Sequence, residues 1–194
     1  MKKYLALGDS YTIGEKVNEI DNFPHQFVSI LNKEKKIFDS PKIIAQTGWT
    51  TDELAHAIAI EKPSFEYDLV TLLIGVNNQY RARSVADYYT QFYGLLIQAL
   101  MYANAKSDNV IVLSIPDWGL TPFNQSKDKK EVSMQINEYN KVNKELSKNL
   151  NVKYIDITES TRNHANDKKY LAEDLLHYSA KEYKIWAEKM VSLL

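Results

Sequence analysis

Five short apolar runs, separated by longer stretches of helical periodicity, constrain this chain more than any other feature in it. They fall at residues 3–7, 42–45, 69–74, 110–115 and 152–157. Each is brief, largely apolar and richer in Val, Ile or Leu than its flanks, the pattern of strands covered on both faces. Between them the period changes. In "SVADYYTQFYGLLIQALMYANA", positions 85, 88, 89, 92, 96, 99 and 100 form one apolar stripe at helical spacing. We read its aromatics as core rather than as a ligand cleft. The segment 132–150 repeats the pattern through Ile136, Tyr139, Val142 and Leu146, and the last helix, 180–194, carries Tyr183, Ile185, Trp186 and Met190. Helix starts are marked as well: Thr50 with Glu53 and Ser179 with Glu182 each fit a capping box, and Ser84 is an N-cap.

Strands that alternate with helices predict an α/β domain with a mainly parallel sheet and helices on both faces. No linker, repeat or low-complexity stretch divides residues 1–194, so the chain reads as one domain with room for a real core. Right-handed crossovers then align the C-terminal ends of all strands along one edge of the sheet, where open α/β sheets bind their ligands.

Charge and composition remove several classes of function. Lys and Arg number 24 against 25 Asp and Glu, and "KEKK" (33–36) and "KDKK" (127–130) each contain an acid. Both runs read as solvated faces or loop tips, so no nucleic-acid partner is expected. Cysteine is absent, which removes thiol nucleophiles, disulfides and thiolate metal sites. "MKKYLALGDS" begins like a secretory signal, but its apolar run spans only residues 4–7 before Asp9 interrupts it. No stretch approaches the length of a membrane span. The expectation is a cytoplasmic protein without signal peptide or stable membrane insertion. Three of the four histidines read as structural: His25 opens the first helical segment, His56 lies in the helix after Gly48, and His164 falls in the polar loop "TESTRNHANDKK". Asp52 and His56, one helical turn apart, suit a surface pair as well as a ligand pair, and no HExxH spacing occurs. No metal or cofactor is expected.

The strand ends carry the chemistry. The first run breaks into Gly8, Asp9 and Ser10 in "YLALGDSYTIGE"; the second leads to Gly48 in "AQTGWTTDE"; the third leads to Gly75, Asn77 and Asn78 in "LLIGVNNQY". After the fifth, a long loop delivers Asp174 and His177 in "EDLLHYSAKE". A serine hydroxyl needs a base to take its proton as it attacks, and His is the side chain best poised to do so near neutral pH. His177 in turn needs an acceptor on its far nitrogen, which Asp174 can supply across a single turn; Glu173 is a lesser competitor. The oxyanion of a tetrahedral intermediate needs preset donors: the Asn77 amide and the backbone N–H groups of Ser10 and Gly48. "IPDWGLTPF" (115–123) follows the fourth run at the same edge. It reads either as a turn with a buried tryptophan or as a pocket wall built by Trp118 and Phe123. Tyr11, Trp49, Asn78 and Tyr80 are further candidates for contact with substrate.

In order and spacing, "GDSYTIG", Gly48, "GVNN" and "DLLH" resemble the blocks of the GDSL/SGNH hydrolases, over essentially the whole chain. The resemblance implies a flavodoxin-like three-layer α/β/α sandwich with a five-stranded parallel sheet. It also implies a Ser10–Asp174–His177 triad and an oxyanion hole of Ser10, Gly48 and Asn77. Three positions depart from the family pattern: Tyr11 for the usual Leu, Asn78 for the second Asp of Gly-x-Asn-Asp, and Tyr178 for Pro after His. None of them removes a catalytic group. The implied activity is a lysophospholipase-like esterase acting on small or medium acyl esters or thioesters, with a small-molecule ester as partner. A carbohydrate O-deacetylase would use the same triad with a more polar pocket. A non-catalytic flavodoxin-like binding domain is the reading of another class, and Asp9 and Glu15 in the first turn oppose the anion it would hold.

Overall fold

All five apolar runs form strands, and every strand pairs in parallel with its neighbours. The computed structural model describes residues 1–33 and 37–193. In chain order the elements are β1 (Tyr4–Asp9), α1 (Ser10–Ile13), α2 (Phe23–Leu31), β2 (Lys42–Gln46), α3 (Thr51–Glu61), β3 (Leu69–Leu73), α4 (Val76–Tyr80) and α5 (Val85–Tyr102). They continue with β4 (Val110–Leu113), α6 (Lys129–Asn149), β5 (Lys153–Ile155), α7 (Thr158–His164) and α8 (Ala180–Val191). Residues 34–36 of "KEKK" and residue 194 of the last predicted helix lie outside the described residues. In "KDKK", Asp128 caps α6 by accepting the Glu131 N–H at 2.9 Å.

The strand order is β2-β1-β3-β4-β5. Sequence neighbours β1 and β2 lie side by side, and the chain then crosses back over β1 to place β3 on its other flank. This is the doubly wound, flavodoxin-like order, whose crevice opens between β1 and β3. Strands β1, β3 and β4 are buried along their whole length, as their apolar sequences demand. The edge strands β2 and β5 are only partly covered, so burial on both faces holds for the three inner strands alone.

Helices form the outer layers. On one side Phe27 of α2 meets Tyr4 of β1 with ring centroids 5.6 Å apart, and Phe23 of α2 meets Trp186 of α8 at 6.0 Å. On the other, α3, α5 and α6 lie in succession, with Tyr88 and Tyr139 joining α5 to α6 at 4.4 Å. Each of these large apolar side chains contributes about 1.5–3 kcal/mol through burial. The sandwich is therefore the three-layer α/β/α arrangement expected of the chain. No helix among the described residues is long and apolar enough to cross a membrane.

Four local expectations are corrected. The buried stripe of α5 runs through Tyr88, Phe92, Leu95, Leu96, Ala99 and Tyr102, while Tyr89 is exposed. A step of one residue turns a side chain about 100° around the helix, which carries Tyr89 off the stripe. His164 ends helix α7 instead of lying in a loop. Asp52 pairs with Arg83 at 2.7 Å and not with the exposed His56, because the longer arginine reaches across from the segment after α4. Ser179 and Glu182 form no capping box: the Ser179 hydroxyl donates to the Lys169 carbonyl, and the Glu182 carboxylate turns into the core. At α3, by contrast, Glu53 accepts from both the N–H and the hydroxyl of Thr50, at 2.8 and 2.9 Å.

Candidate active site

Ser10 is placed by the tight junction of β1 and α1. Asp9, fully buried at the strand end, caps α1 by accepting the Tyr11 N–H at 3.0 Å. Burial pushes the Asp9 carboxyl up to about 7, against the lowering effect of that N–H bond. Gly8 is required for space: a Cβ there would stand 2.1 Å from the Thr12 hydroxyl and 2.4 Å from the Leu73 carbonyl. The chain thus folds back over β1 and β3 directly at the crevice, and Ser10 begins the helix with an N–H that has no acceptor within it.

The loop after α7 brings His177 and Asp174 to Ser10. His177 Nε2 lies 2.9 Å from Ser10 Oγ, and His177 Nδ1 lies 2.6 Å from Asp174 Oδ2. The other Asp174 oxygen accepts the N–H groups of Leu176 and His177 at 3.0 and 2.9 Å. Partial burial raises the Asp174 pKa, but the His177 ring and these two N–H groups outweigh it, so the carboxyl sits below its usual range. With Nδ1–H given to Asp174, Nε2 is the acceptor that faces the Ser10 hydroxyl. Leu175 holds φ at +58°, a left-handed conformation costly for a bulky residue. That turn lets the two following N–H groups converge on one carboxylate oxygen. Glu173, the competitor, forms an exposed ion pair with Lys16 at 3.7 Å instead.

On the opposite side of the crevice, α4 follows β3 through Gly75, whose φ is +132° and whose added Cβ would meet the Tyr88 hydroxyl at 2.5 Å. Asn77 Nδ2 donates one hydrogen to the Trp49 carbonyl at 3.0 Å, which leaves the second amide hydrogen free. Gly48 sits in the turn from Gln46 to Trp49 with φ +85°, and its carbonyl accepts from Arg81 at 2.7 Å.

A cavity of about 200 Å³ opens between these groups, lined by Ser10, Tyr11, Val76, Asn77, Tyr80, Trp118, Phe123, Leu176 and His177. Its wall is aromatic. Tyr80 and Trp118 meet edge to face at 5.1 Å, Trp118 is anchored by its indole N–H on Gln79 at 2.7 Å, and Tyr11 tilts against His177 at 5.1 Å. Lys127 rests its ammonium over the Tyr80 ring, 4.5 Å from the centroid.

The structure therefore gathers Ser10, Asp174, His177, Asn77, Tyr11, Tyr80, Trp118 and Phe123 around one crevice. It does not bring two of the expected contact residues there. Trp49 lines a separate depression with Ile43, Ala45, Ala57 and Ile60 beside the edge strand. Asn78 is buried and spans to α3, accepting the Thr51 N–H at 3.1 Å and donating to the Thr51 hydroxyl at 2.7 Å. An amide both donates and accepts, so Asn78 satisfies both groups of Thr51 at once. Val76 and Leu176 were missed as lining residues; each stands one position before a motif residue, Asn77 or His177, the only signal that pointed to them. Among the described residues no group of three or more His, Cys, Asp or Glu is arranged to hold a metal ion.

Similarity to known proteins follows the same lines. The model of the GDSL-like Lipase/Acylhydrolase family matches residues 6–185. The lipase Lip_vut3 from a goat rumen metagenome superposes with a TM-score of 0.76 at 19% identity, covering 100% of this chain and 97% of the other. The acetyl xylan esterase AlAXEase gives 0.75 at 18% identity, covering 99% of both chains. The lipase/acylhydrolase from Enterococcus faecalis gives 0.69 at 21%, covering 99% and 94%. At these identities the likeness is one of fold. No curated protein matches by sequence. With the family model spanning nearly the whole length, the chain belongs to the GDSL-like lipase/acylhydrolase family and is a hydrolase acting on ester bonds.

Proposed function

We propose that this hydrolase is a serine esterase that works through an acyl-Ser10 intermediate. The observation that carries the reading is the continuous chain from Ser10 Oγ to His177 Nε2 at 2.9 Å and from His177 Nδ1 to Asp174 Oδ2 at 2.6 Å. His177 takes the hydroxyl proton as Oγ attacks the ester carbonyl. It then returns that proton to the departing alcohol or thiol when the tetrahedral intermediate collapses. Water repeats the sequence on the acyl-serine and releases the acid. Asp174 holds the imidazole in one tautomer and stabilises the imidazolium. The oxyanion is met by the N–H groups of Ser10 and Gly48 and by the second Asn77 amide hydrogen. The bond from Asn77 to Trp49 fixes that amide in advance.

The apolar cavity, smaller than the roughly 300–1,000 Å³ typical of drug-sized ligand sites, supports short or medium acyl chains on esters or thioesters. A second reading, carbohydrate O-deacetylation, takes its support from Tyr80 and Phe123, exposed by 45% and 42% at the cavity mouth and able to stack on a sugar ring. A panel of p-nitrophenyl esters graded by chain length, run beside acetylated xylo-oligosaccharide, separates the two. Activity that rises from acetyl to medium chains supports the first, and preference for the acetylated sugar supports the second. Reaction with a fluorophosphonate and intact-mass measurement tests the nucleophile. One adduct is expected on Ser10, absent in Ser10→Ala, and no adduct on the native protein would overturn the proposal.

A further inference from the structure

The Glu182 carboxylate, turned away from the helix end it was expected to cap, is fully buried. One oxygen accepts from the Ser160 hydroxyl at 2.6 Å and the Trp186 indole N–H at 2.9 Å, and the other pairs with His164 Nδ1 at 2.7 Å. A buried carboxylate must be held by such donors, and here they also hold something else in place. The His164 ring lies flat on Tyr170, with centroids 3.7 Å apart and planes 4° from parallel. With that face covered, the Lys181 ammonium takes the other, 4.2 Å from the ring centre.

Tyr170 opens the loop that carries Asp174 and His177. Its carbonyl accepts the Ser179 N–H at 2.9 Å, and the Ala172 N–H donates to the His177 carbonyl at 2.8 Å. Leu171 and Tyr178 form an antiparallel bridge between them. The loop is thus closed at its base, and both ends hang from one carboxylate: Tyr170 through the His164 ring, Ser179 through the first turn of α8, where Glu182 sits.

We propose that the Glu182–His164–Tyr170 staple, clasped by Lys181, positions the loop so that His177 meets Ser10. The proposal rests on the triad reading above. These are positioning residues, since none of them lines the cavity. Displacing a catalytic group by about 1 Å can cost about a hundredfold in rate, so loss of a support one shell away is expected to register in turnover.

The test compares Tyr170→Ala, Tyr170→Phe and Lys181→Gln, each kept well below its melting temperature and checked by circular dichroism. Two quantities are read: the rate of Ser10 phosphonylation by a fluorophosphonate, and kcat with KM on a p-nitrophenyl ester. Tyr170→Ala should slow phosphonylation and lower kcat by about tenfold or more, with KM nearly unchanged because the acyl cavity is untouched. Tyr170→Phe, which keeps the ring, should restore both. Lys181→Gln, at an exposed position, should cost about two- to fivefold, the range of an exposed cation–π contact. The proposal is overturned if Tyr170→Ala and Lys181→Gln, folded at the assay temperature, phosphonylate within twofold of the parent. It is equally overturned if KM rises in step with the fall in kcat. Failure of the parent protein to label at all would instead refute the triad reading.

Discussion

Two histidine–carboxylate pairs lie in this molecule with almost the same bond length, 2.6 Å for His177–Asp174 and 2.7 Å for His164–Glu182. Asp174 keeps 23% of its side chain in solvent, whereas Glu182 keeps none. The first pair ends on a hydroxyl at the mouth of a cavity; the second ends on the face of a tyrosine. A dyad is therefore chemically neutral until its surroundings are known. On the roles proposed above, what the imidazole presents beyond the carboxylate decides whether the pair moves a proton or holds a loop.

The sharpest way to break the contrast is to remove each histidine in turn. His177→Ala should lower kcat by about 10⁴-fold or more, while His164→Ala should cost about tenfold through misplacement of the loop; equal losses in ester hydrolysis would erase the distinction. The carboxylates come next. Asp174→Asn should cost about 10⁴-fold in kcat, as expected when the histidine tautomer is wrong. Glu182→Gln should act chiefly on stability, by about 3–5 kcal/mol in a urea unfolding series, the usual consequence of breaking a buried pair. A kcat loss as large as that of Asp174→Asn would make Glu182 part of the chemistry.

Neighbouring asparagines extend the comparison at smaller scale. Asn77→Ala should lower kcat by about 10²–10³-fold. Asn78→Ala should cost about 1–3 kcal/mol of stability through the unpaired Thr51 groups it leaves, with a lesser change in kcat. Similar kcat losses would mean that the oxyanion donor has been misassigned. The last prediction concerns pH. The Asp9 carboxyl, raised from 3.8 to about 7, binds its proton more tightly in the folded state. Its contribution to stability is complete below the unfolded value and is lost as pH rises through about 7. The lowered Asp174 does the reverse, contributing above its unfolded value of 3.8 and losing that contribution as pH falls through its folded value. Melting temperature should therefore decline between pH 5 and 8, and Asp9→Asn should flatten the decline; an unchanged slope would show that Asp9 does not titrate in this range.

Most of the fold was legible because the strands announce themselves by composition and right-handed crossovers set their C-terminal ends along one edge, while the flavodoxin-like arrangement came from the family resemblance. The strand ends were less sharp: β1 runs on to Asp9, and β5 shrinks to Lys153–Ile155. Ladder hydrogen bonds, and not hydrophobicity, decide where pairing stops. Contacts that depend on local spacing were readable: Asp174 and His177, three residues apart, do pair at 2.6 Å. Those that depend on direction were not. Asn77 and Asn78 are adjacent and chemically identical, yet successive helical side chains diverge by about 100°, so one faces the cavity and the other braces Thr51. Glu182 was misread for a related reason: the capping box is a local pattern, and a distant histidine on α7 outbid it.

Ser10 and His177 touch in space but stand 167 residues apart along the chain. On the roles proposed here, a ribosome makes the nucleophile early and the base late, so a nascent chain carries a serine with nothing to activate it. The site comes into being only when the loop after α7 closes and α8 docks on α2. Catalytic competence is in that sense a receipt for finished folding. A protease that nicks the 165–179 segment would silence the enzyme while leaving its nucleophile intact.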